Sequence, residues 1–117
     1  NSKKIHVSKR ELGKSLYYSG GYHKGEFMLE KSAAEKTGIT KVIDASSYEL
    51  AQIAMGDAEL YILRSVLHDV AAGAIIIREA GGRISDYDGS EWTTRSEGIV
   101  ASNGVIHDEV LKLLVKK

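Results

Sequence analysis

Asp69 is the residue in this sequence whose type and position are best suited to chemistry, because it opens a long apolar stretch. At the start of a helix, a carboxylate is favoured by the helix dipole and by free backbone N–H groups. Residues 71–73 (Ala-Ala-Gly) would let the first turn lie against another backbone or a ligand, and the pair 81–82 (Gly-Gly) permits a sharp exit. The residues alone leave two interpretations open: Asp69 is a functional ligand, or it is a helix cap beside small packing residues.

The stretch from Asp69 to Gly82 resembles the second signature of the inositol monophosphatase family. This family comprises magnesium-dependent, lithium-sensitive phosphatases and includes archaeal fructose-1,6-bisphosphatases. The signature reads Trp-Asp-x-Ala-Ala-Gly, then apolar residues, then Glu-Ala-Gly-Gly. Residues 69–73 (Asp-Val-Ala-Ala-Gly) and 79–82 (Glu-Ala-Gly-Gly) match it at the family's spacing, with His68 in place of the tryptophan. A match at this many fixed positions is specific.

The resemblance extends in both directions. Upstream, residues 41–47 and 56–61 match more loosely the family's Arg-x-x-Gly-Ser-Ala-Ala segment and the strand that follows it. Downstream, residues 81–89 and 100–104 resemble the family's C-terminal hairpin and the start of its final helix. The resemblance therefore covers the chain from about residue 38 onward.

The resemblance implies a role for individual residues. Asp69 matches the aspartate that ligates catalytic Mg²⁺ and helps to position the attacking water, and a carboxylate oxygen suits that metal. Ser46 and Ser47 match the segment that approaches the phosphorylated substrate at a helix N-terminus, where N–H groups suit an anion. Lys41 stands where the family often has an arginine. Asp69 is thus the expected catalytic and metal residue, and the other three are expected to bind substrate.

One departure from the family bears on the substrate. Many inositol-preferring members carry an acidic residue a few positions before the signature, whereas this sequence has Ile62, Leu63 and Arg64 there. Arg64 is either a contact for the second phosphate of a bisphosphate or an ordinary surface residue. The expected substrate is a phosphomonoester of inositol or a sugar, of the inositol-1-phosphate or fructose-1,6-bisphosphate type.

A second departure concerns the family's first signature, Asp-Pro-(apolar)-Asp-Gly-Thr, which follows a metal-binding glutamate. The sequence contains no proline, so that motif is absent in its usual form. Residues 86–90 (Asp-Tyr-Asp-Gly-Ser) resemble it superficially, but Asp-Gly is a common turn dipeptide and we predict a turn there. One carboxylate does not make a magnesium site, since such sites need several converging oxygen ligands.

We therefore expect residues 1–117 to be one domain, the C-terminal half of such a phosphatase, without its N-terminal metal-binding half. The expected partners are that half, in the same polypeptide or as a separate chain, and a phosphorylated small molecule. The isolated chain should be inactive. Two alternatives remain open: a non-catalytic binding or regulatory module that retains the fold, and an assembly element that forms a homodimer.

Strand-like and helical patterns alternate along the chain, which predicts an α/β fold. We expect a layered α/β/α domain with a central mixed sheet and helices on both faces, without a prediction of strand order. The predicted strands span 5–8, 15–19, 40–43, 59–63, 83–85 and 98–101. The predicted helices span 26–36, 46–56, 66–80 and 105–115, the second beginning at a Ser-x-x-Glu capping box, Ser46 to Glu49.

The amino-acid composition bears on the class of protein and on its location. The 117 residues are 43% apolar and 27% charged, as in globular proteins, and contain no cysteine for a disulfide or thiolate site. There is no apolar run of about 18 residues and the N-terminus is polar, so we expect no membrane span, no secretory signal and a cytoplasmic location. The four histidines lack metal-ligand spacing and are expected to be structural or exposed.

Charge is unevenly spread along the chain. Residues 1–41 carry nine Lys/Arg and four Asp/Glu, a net +5, which leaves −5 for the rest of this neutral sequence. The basic third is either a solvated face or a surface that faces phosphorylated substrates. We expect no nucleic-acid partner, because no basic-aromatic interleaving or reading motif is present.

Overall fold

A five-stranded sheet forms the middle of the molecule, whose computed structural model describes residues 5–19, 27–42, 46–63 and 70–115. The strands are β1 (Leu16–Ser19), β2 (Ile39–Val42), β3 (Leu60–Leu63), β4 (Arg83–Ser85) and β5 (Ile99–Ser102). Their order is β2-β1-β3-β5-β4. β1 runs parallel to β2 and β3, while β5 is antiparallel to both β3 and β4. The predicted mixed sheet is confirmed.

In the described parts of the chain, four α-helices cover the two faces of the sheet. They are α1 (Phe27–Lys36), α2 (Ser46–Ala54), α3 (Val70–Glu79) and α4 (His107–Val115). Neighbouring strand residues point to opposite faces. Tyr17 accordingly belongs to a core with α1 and α4, whereas Tyr18 belongs to a core with α2 and α3. The predicted α/β/α layering is confirmed, with one pair of helices on each face.

The predicted strand at residues 5–8 is wrong. Val7 makes one backbone hydrogen bond to Ala80 (3.0 Å), but the segment has no ladder. β1 is the next strand along the chain, and it is already flanked by β2 on one side and β3 on the other. Residues 5–8 therefore cannot pair with β1. Alternating apolar residues give a segment strand propensity, but a strand also needs a ladder of hydrogen bonds to a neighbour, which residues 5–8 lack.

The helix boundaries also differ from those predicted. α4 begins at His107 rather than near residue 105, and in the turn before it Oδ1 of Asn103 accepts hydrogen bonds from the N–H groups of Val105 (3.1 Å) and Ile106 (3.3 Å). This side-chain cap holds the turn before the helix. α3 is described from Val70, and the earlier part of its predicted span lies outside the described residues.

A buried carboxylate ties the segment before β1 to the sheet. Glu59, 1% exposed, accepts hydrogen bonds from Ser8 Oγ (2.8 Å) and from the N–H of Leu16 (2.6 Å), and it forms an ion pair with Arg10. Asn103 extends this network, because its Nδ2 donates to the Arg10 carbonyl (3.0 Å) and its N–H to the Glu59 carbonyl (3.1 Å). We call these residues the Glu59 network.

Within the described segments, none of the helices has the length and apolar character that crossing a membrane requires.

Candidate functional site

The carboxyl ends of three parallel strands meet at one edge of the sheet. β1 ends there at Ser19, β2 at Val42 and β3 at Leu63. The crossover from β1 to β2 uses α1 on one face, and the crossover from β2 to β3 uses α2 on the other. Such a reversal opens a crevice beside the strand ends, which is where open α/β sheets bind ligands. This edge is the candidate site.

Two helices on one face begin at this edge. α2 starts at Ser46 and α3 is described from Val70. The helices pack very closely, because a Cβ added to Gly73 would lie 2.5 Å from Cδ1 and 3.1 Å from Cβ of Leu50. The glycine of the Ala-Ala-Gly run therefore serves helix packing. The first backbone N–H groups of a helix have no partner within it, so two neighbouring N-termini suit an anion.

Three of the predicted substrate residues lie on elements that reach this edge. Lys41 is exposed on β2, one residue before the strand ends, and its register partner is Tyr18 of β1. Ser46 is the first residue of α2, and Ser47 follows it in the first turn with an exposed side chain. The fold thus brings the β2–α2 pair of elements to the same edge as the start of α3.

Sequence reasoning missed a tyrosine pair beside this edge. Tyr18, 4% exposed, packs its ring edge-on against Tyr48 of α2, with centroids 6.5 Å apart. Burial, and then the neighbouring Tyr48 and Glu49, raise the pKa of Tyr18 above its usual value of 10.0. Its hydroxyl therefore keeps its proton at neutral pH. Only the strand pattern of residues 15–19 signals the burial of Tyr18, and nothing in the sequence pairs it with Tyr48.

Asp69 and Arg64 lie outside the described residues, in the connection between β3 and α3. Among the residues that the structure does describe, no group of three or more His, Asp or Glu side chains could hold a metal ion. The described part of the chain therefore offers no magnesium site of its own.

The motif-like residues 86–90 form the predicted turn. The N–H of Gly89 bonds to the Asp86 carbonyl (3.0 Å), and Gly89 has a φ of +90°. The Asp86 carboxylate accepts hydrogen bonds from the N–H groups of Tyr87 (2.7 Å), Glu97 (2.9 Å) and Gly98 (3.1 Å). This carboxylate holds a loop together.

His107 is a buried structural histidine, as predicted for histidines without ligand spacing. Its Nε2 lies 2.8 Å from Ser85 Oγ and its Nδ1 2.7 Å from Ser102 Oγ. Burial, and then the nearby Arg83 charge, lower its pKa from 6.5 to about 4. The ring is neutral at physiological pH and links α4 to β4 and β5. His6 is exposed, and His23 and His68 lie outside the described residues.

The fold is that of the inositol monophosphatases. An inositol monophosphatase from Anabaena (Nostoc) superposes with a TM-score of 0.90 at 29% identity, over 99% of this chain and 49% of that one. The family match therefore concerns the whole described architecture and not the signature segment alone.

Sequence comparison gives the same result. A fructose-1,6-bisphosphatase/inositol-1-monophosphatase of Thermotoga maritima is 30% identical over 97% of this chain. An inositol-1-monophosphatase of Mesorhizobium japonicum is 32% identical over 90% of it. The inositol monophosphatase family profile matches residues 1–117. This chain belongs to the inositol monophosphatase family.

The chain spans about half the length of the curated relatives that it matches. The alignments cover 45% of the Thermotoga protein and 40% of the Mesorhizobium protein. The activities in those names belong to proteins that carry a second half, which this chain does not match.

Proposed function

We propose that this chain is the C-terminal half of a magnesium-dependent phosphatase that hydrolyses a phosphomonoester of inositol or a sugar. The observation that carries the proposal is the signature at residues 69–82, whose described part forms α3 and starts at the edge where three parallel strands end. The names of the relatives, inositol-1-monophosphatase and fructose-1,6-bisphosphatase, support the same substrate class.

Asp69 has the central role in this proposal. It supplies one carboxylate to Mg²⁺, and the missing N-terminal half supplies the others, because the described residues form no cluster of three ligands. When bound, Mg²⁺ provides charge to orient the phosphate and to activate water. The chain on its own is therefore inactive, and its enzymatic role belongs to the joined protein.

The remaining site residues bind substrate. Ser46 and Ser47 offer the N-terminus of α2 to the phosphate, and Lys41 adds positive charge from the adjacent strand. Arg64 meets the second phosphate of a bisphosphate. A cytoplasmic location completes the proposal.

The test joins residues 1–117 to the part of the Thermotoga maritima relative that lies outside the alignment. Phosphate release from inositol-1-phosphate and from fructose-1,6-bisphosphate is measured with Mg²⁺ present. We expect Asp69→Asn to reduce kcat at least ~100-fold, whereas Asp88→Asn, an exposed turn aspartate, leaves it unchanged. Equal activity of Asp69→Asn and the unmodified joined protein would contradict the proposal.

The same assay examines Arg64. Because its proposed partner is a second phosphate, Arg64→Ala should raise KM for fructose-1,6-bisphosphate and leave KM for inositol-1-phosphate unaltered. Lys9→Ala is the matched control, because it also removes one positive charge but at an exposed residue in the segment before β1. An equal effect of Arg64→Ala on both substrates would remove Arg64 from the proposed site.

The second candidate is a non-catalytic binding or regulatory module, which is favoured by the missing first signature. It predicts that the joined protein binds inositol-1-phosphate without releasing phosphate. Binding measured by calorimetry, with no phosphate release at any Mg²⁺ concentration, would favour this candidate over the phosphatase.

A further inference from the structure

One large aromatic side chain at the candidate site has no part in the proposed binding of phosphate. Tyr48 lies in the first turn of α2 and is 51% exposed. The Cα–Cβ bonds of a helix tilt toward its N-terminus, so a helical side chain covers the turn before its own Cα. The Tyr48 ring therefore leans toward the edge where β1, β2 and β3 end.

Tyr18 holds the Tyr48 side chain in place. The two rings pack edge-on with centroids 6.5 Å apart, and Tyr18 is 4% exposed in the core between the sheet and α2. A hydrogen bond joins the two side chains. An exposed side chain that is already fixed by a ring contact and a hydrogen bond loses little conformational freedom when it contacts a ligand.

The surroundings of Tyr18 set the direction of this hydrogen bond. Burial first, and then the nearby Tyr48 and Glu49, raise the pKa of Tyr18, and the hydrogen bond to Tyr48 raises it as well. Glu49 is fully buried in the same turn of α2. Tyr18 thus keeps its proton and donates it to the Tyr48 oxygen. The hydroxyl proton of Tyr48 has to point to a different partner, and this side chain is half exposed.

A positive charge lies beside the tyrosine pair. Lys41 of β2 is the register partner of Tyr18, and partners in register point to the same face of a sheet. Lys41 and Tyr48 are therefore both neighbours of Tyr18 on one face, at the β1–β2 side of the candidate site. A cation near a phenol suits a ligand that carries an anionic group and hydroxyl groups together.

The two parts of a phosphorylated polyol need different contacts. In the proposed function, the phosphate is bound by the start of α2 and by Lys41. The polyol ring has an apolar C–H face and hydroxyl groups, which a tyrosine ring and a phenol proton complement. Tyr48 follows Ser46, the first residue of α2, by two positions or about 3 Å along the helix axis. It thus lies beside the phosphate position and not at it.

We propose that Tyr48 is a substrate-specificity residue, which contacts the polyol ring of the phosphomonoester, and that Tyr18 is a positioning residue, which holds Tyr48 for that contact. This inference rests on the proposed function, because it needs a phosphorylated polyol at the edge where the three strands end. It concerns recognition of the alcohol part of the substrate. It does not depend on Asp69 or on metal binding.

The test uses the joined protein and two phosphomonoesters. Inositol-1-phosphate has a polyol ring, whereas ethyl phosphate has neither a ring nor a hydroxyl group. KM and kcat are measured for Tyr48→Phe, which removes the hydroxyl, for Tyr48→Ala, which also removes the ring, and for Tyr18→Phe, which removes the hydrogen bond. Tyr87→Phe is the matched control, because it removes a tyrosine hydroxyl on the α1–α4 side of the sheet.

We expect Tyr48→Phe to raise KM for inositol-1-phosphate about 3–10-fold, as loss of one hydrogen bond does, and Tyr48→Ala to raise it at least about tenfold. Tyr18→Phe should also raise it, but by less than Tyr48→Ala. KM for ethyl phosphate should not change, and kcat should stay within about twofold, because only uniform binding is lost. The fluorescence of Trp92, which is buried, verifies that each variant is folded. Equal changes of KM for both compounds, or no change for either, would overturn the proposal.

The specificity proposal and the phosphatase proposal can fail separately. Phosphate release with unchanged KM values in the Tyr48 variants would overturn the specificity proposal and leave the phosphatase proposal intact. If the joined protein releases no phosphate, binding of the two compounds is measured by calorimetry instead. Weaker binding of inositol-1-phosphate alone to Tyr48→Ala would then support the specificity proposal while contradicting the proposed activity. Any other result of that measurement, including no binding, would overturn both.

Discussion

The two helical layers of this molecule bury similar inner faces but present different outer ones. On one side, α1 and α4 expose charged residues, including the Lys31–Glu35 pair and Asp108, which accepts a hydrogen bond from Arg83 at 2.7 Å. On the other side, α2 exposes Tyr48, and α3 exposes Ile75 and Ile76 beside the charged Arg78 and Glu79. An amphipathic helix shows which face meets its own sheet, and the exposed isoleucines of α3 are apolar residues outside that face.

The inner and outer sides of α3 should respond very differently to the same change. Ile77 is fully buried, so Ile77→Ala removes packed methyl groups and should lower the free energy of unfolding by about 2–5 kcal/mol. Ile76→Ala, one position along, should change it by less than about 0.5 kcal/mol in the 117-residue chain. Urea denaturation of both variants measures the contrast. A similar loss for Ile76→Ala would mean that the outer side of α3 is packed as closely as its inner side.

Acid should destabilise the α1–α4 side through His107. Its folded pKa of about 4 lies below the value of 6.5, so the unfolded chain binds a proton that the folded chain does not. The contribution of His107 to stability is therefore complete above pH 6.5 and declines as pH falls toward 4, by up to about 3 kcal/mol.

Unfolding midpoints across pH 4–7 measure this decline. His107→Gln should flatten that part of the profile, because the titrating group is gone, whereas His6→Gln, at an exposed site, should not. An unchanged profile for His107→Gln would show that other groups govern the acid sensitivity.

The close approach of α2 and α3 should be sensitive to added volume. Gly73→Val forces atoms into the space of Leu50 and should cost about 1–3 kcal/mol of unfolding free energy. Gly13→Val is the matched control, since a Cβ at Gly13 would meet nothing within 4 Å. Thermal melting of the two variants makes the comparison, and equal melting temperatures would contradict the tight packing.

The charged outer surface of α1 should be the most tolerant. Lys31 and Glu35 lie 4.0 Å apart with about half or more of each side chain exposed, and such pairs contribute at most about 0.5 kcal/mol. Lys31→Ala should therefore melt within about 2 °C of the unmodified chain. A larger shift would show that Lys31 contributes more than an exposed ion pair does.

Local sequence signals predicted most of the fold. The apolar runs and glycines located nine of the ten predicted elements to within about two residues where those elements are described. The strand at residues 5–8 was wrong, and the strand order was not predicted, because pairing depends on which edges remain free after the crossovers form. Strand pairing between residues far apart in the sequence cannot be predicted from a short sequence window.

The site could be predicted only in part. The signature at Asp69 and the start of α2 at Ser46 follow from local patterns, and the structure confirms that α2 begins at Ser46. The Tyr18–Tyr48 contact and the Gly73–Leu50 contact join residues more than 20 positions apart, so a local sequence pattern cannot predict them. The roles of Asp69, Arg64, Lys41 and the two serines remain predictions.

The Glu59 network has a consequence for the unfolding of the molecule. A single carboxylate links Ser8 near the beginning of the chain to the sheet, and the adjoining Asn103 both donates to the Arg10 carbonyl and holds the turn before α4, near the end of the chain. The first, middle and last parts of the chain are thus joined by hydrogen bonds between them. Loss of any one segment releases the others, so unfolding should be a single all-or-none transition, with no helix pair surviving by itself.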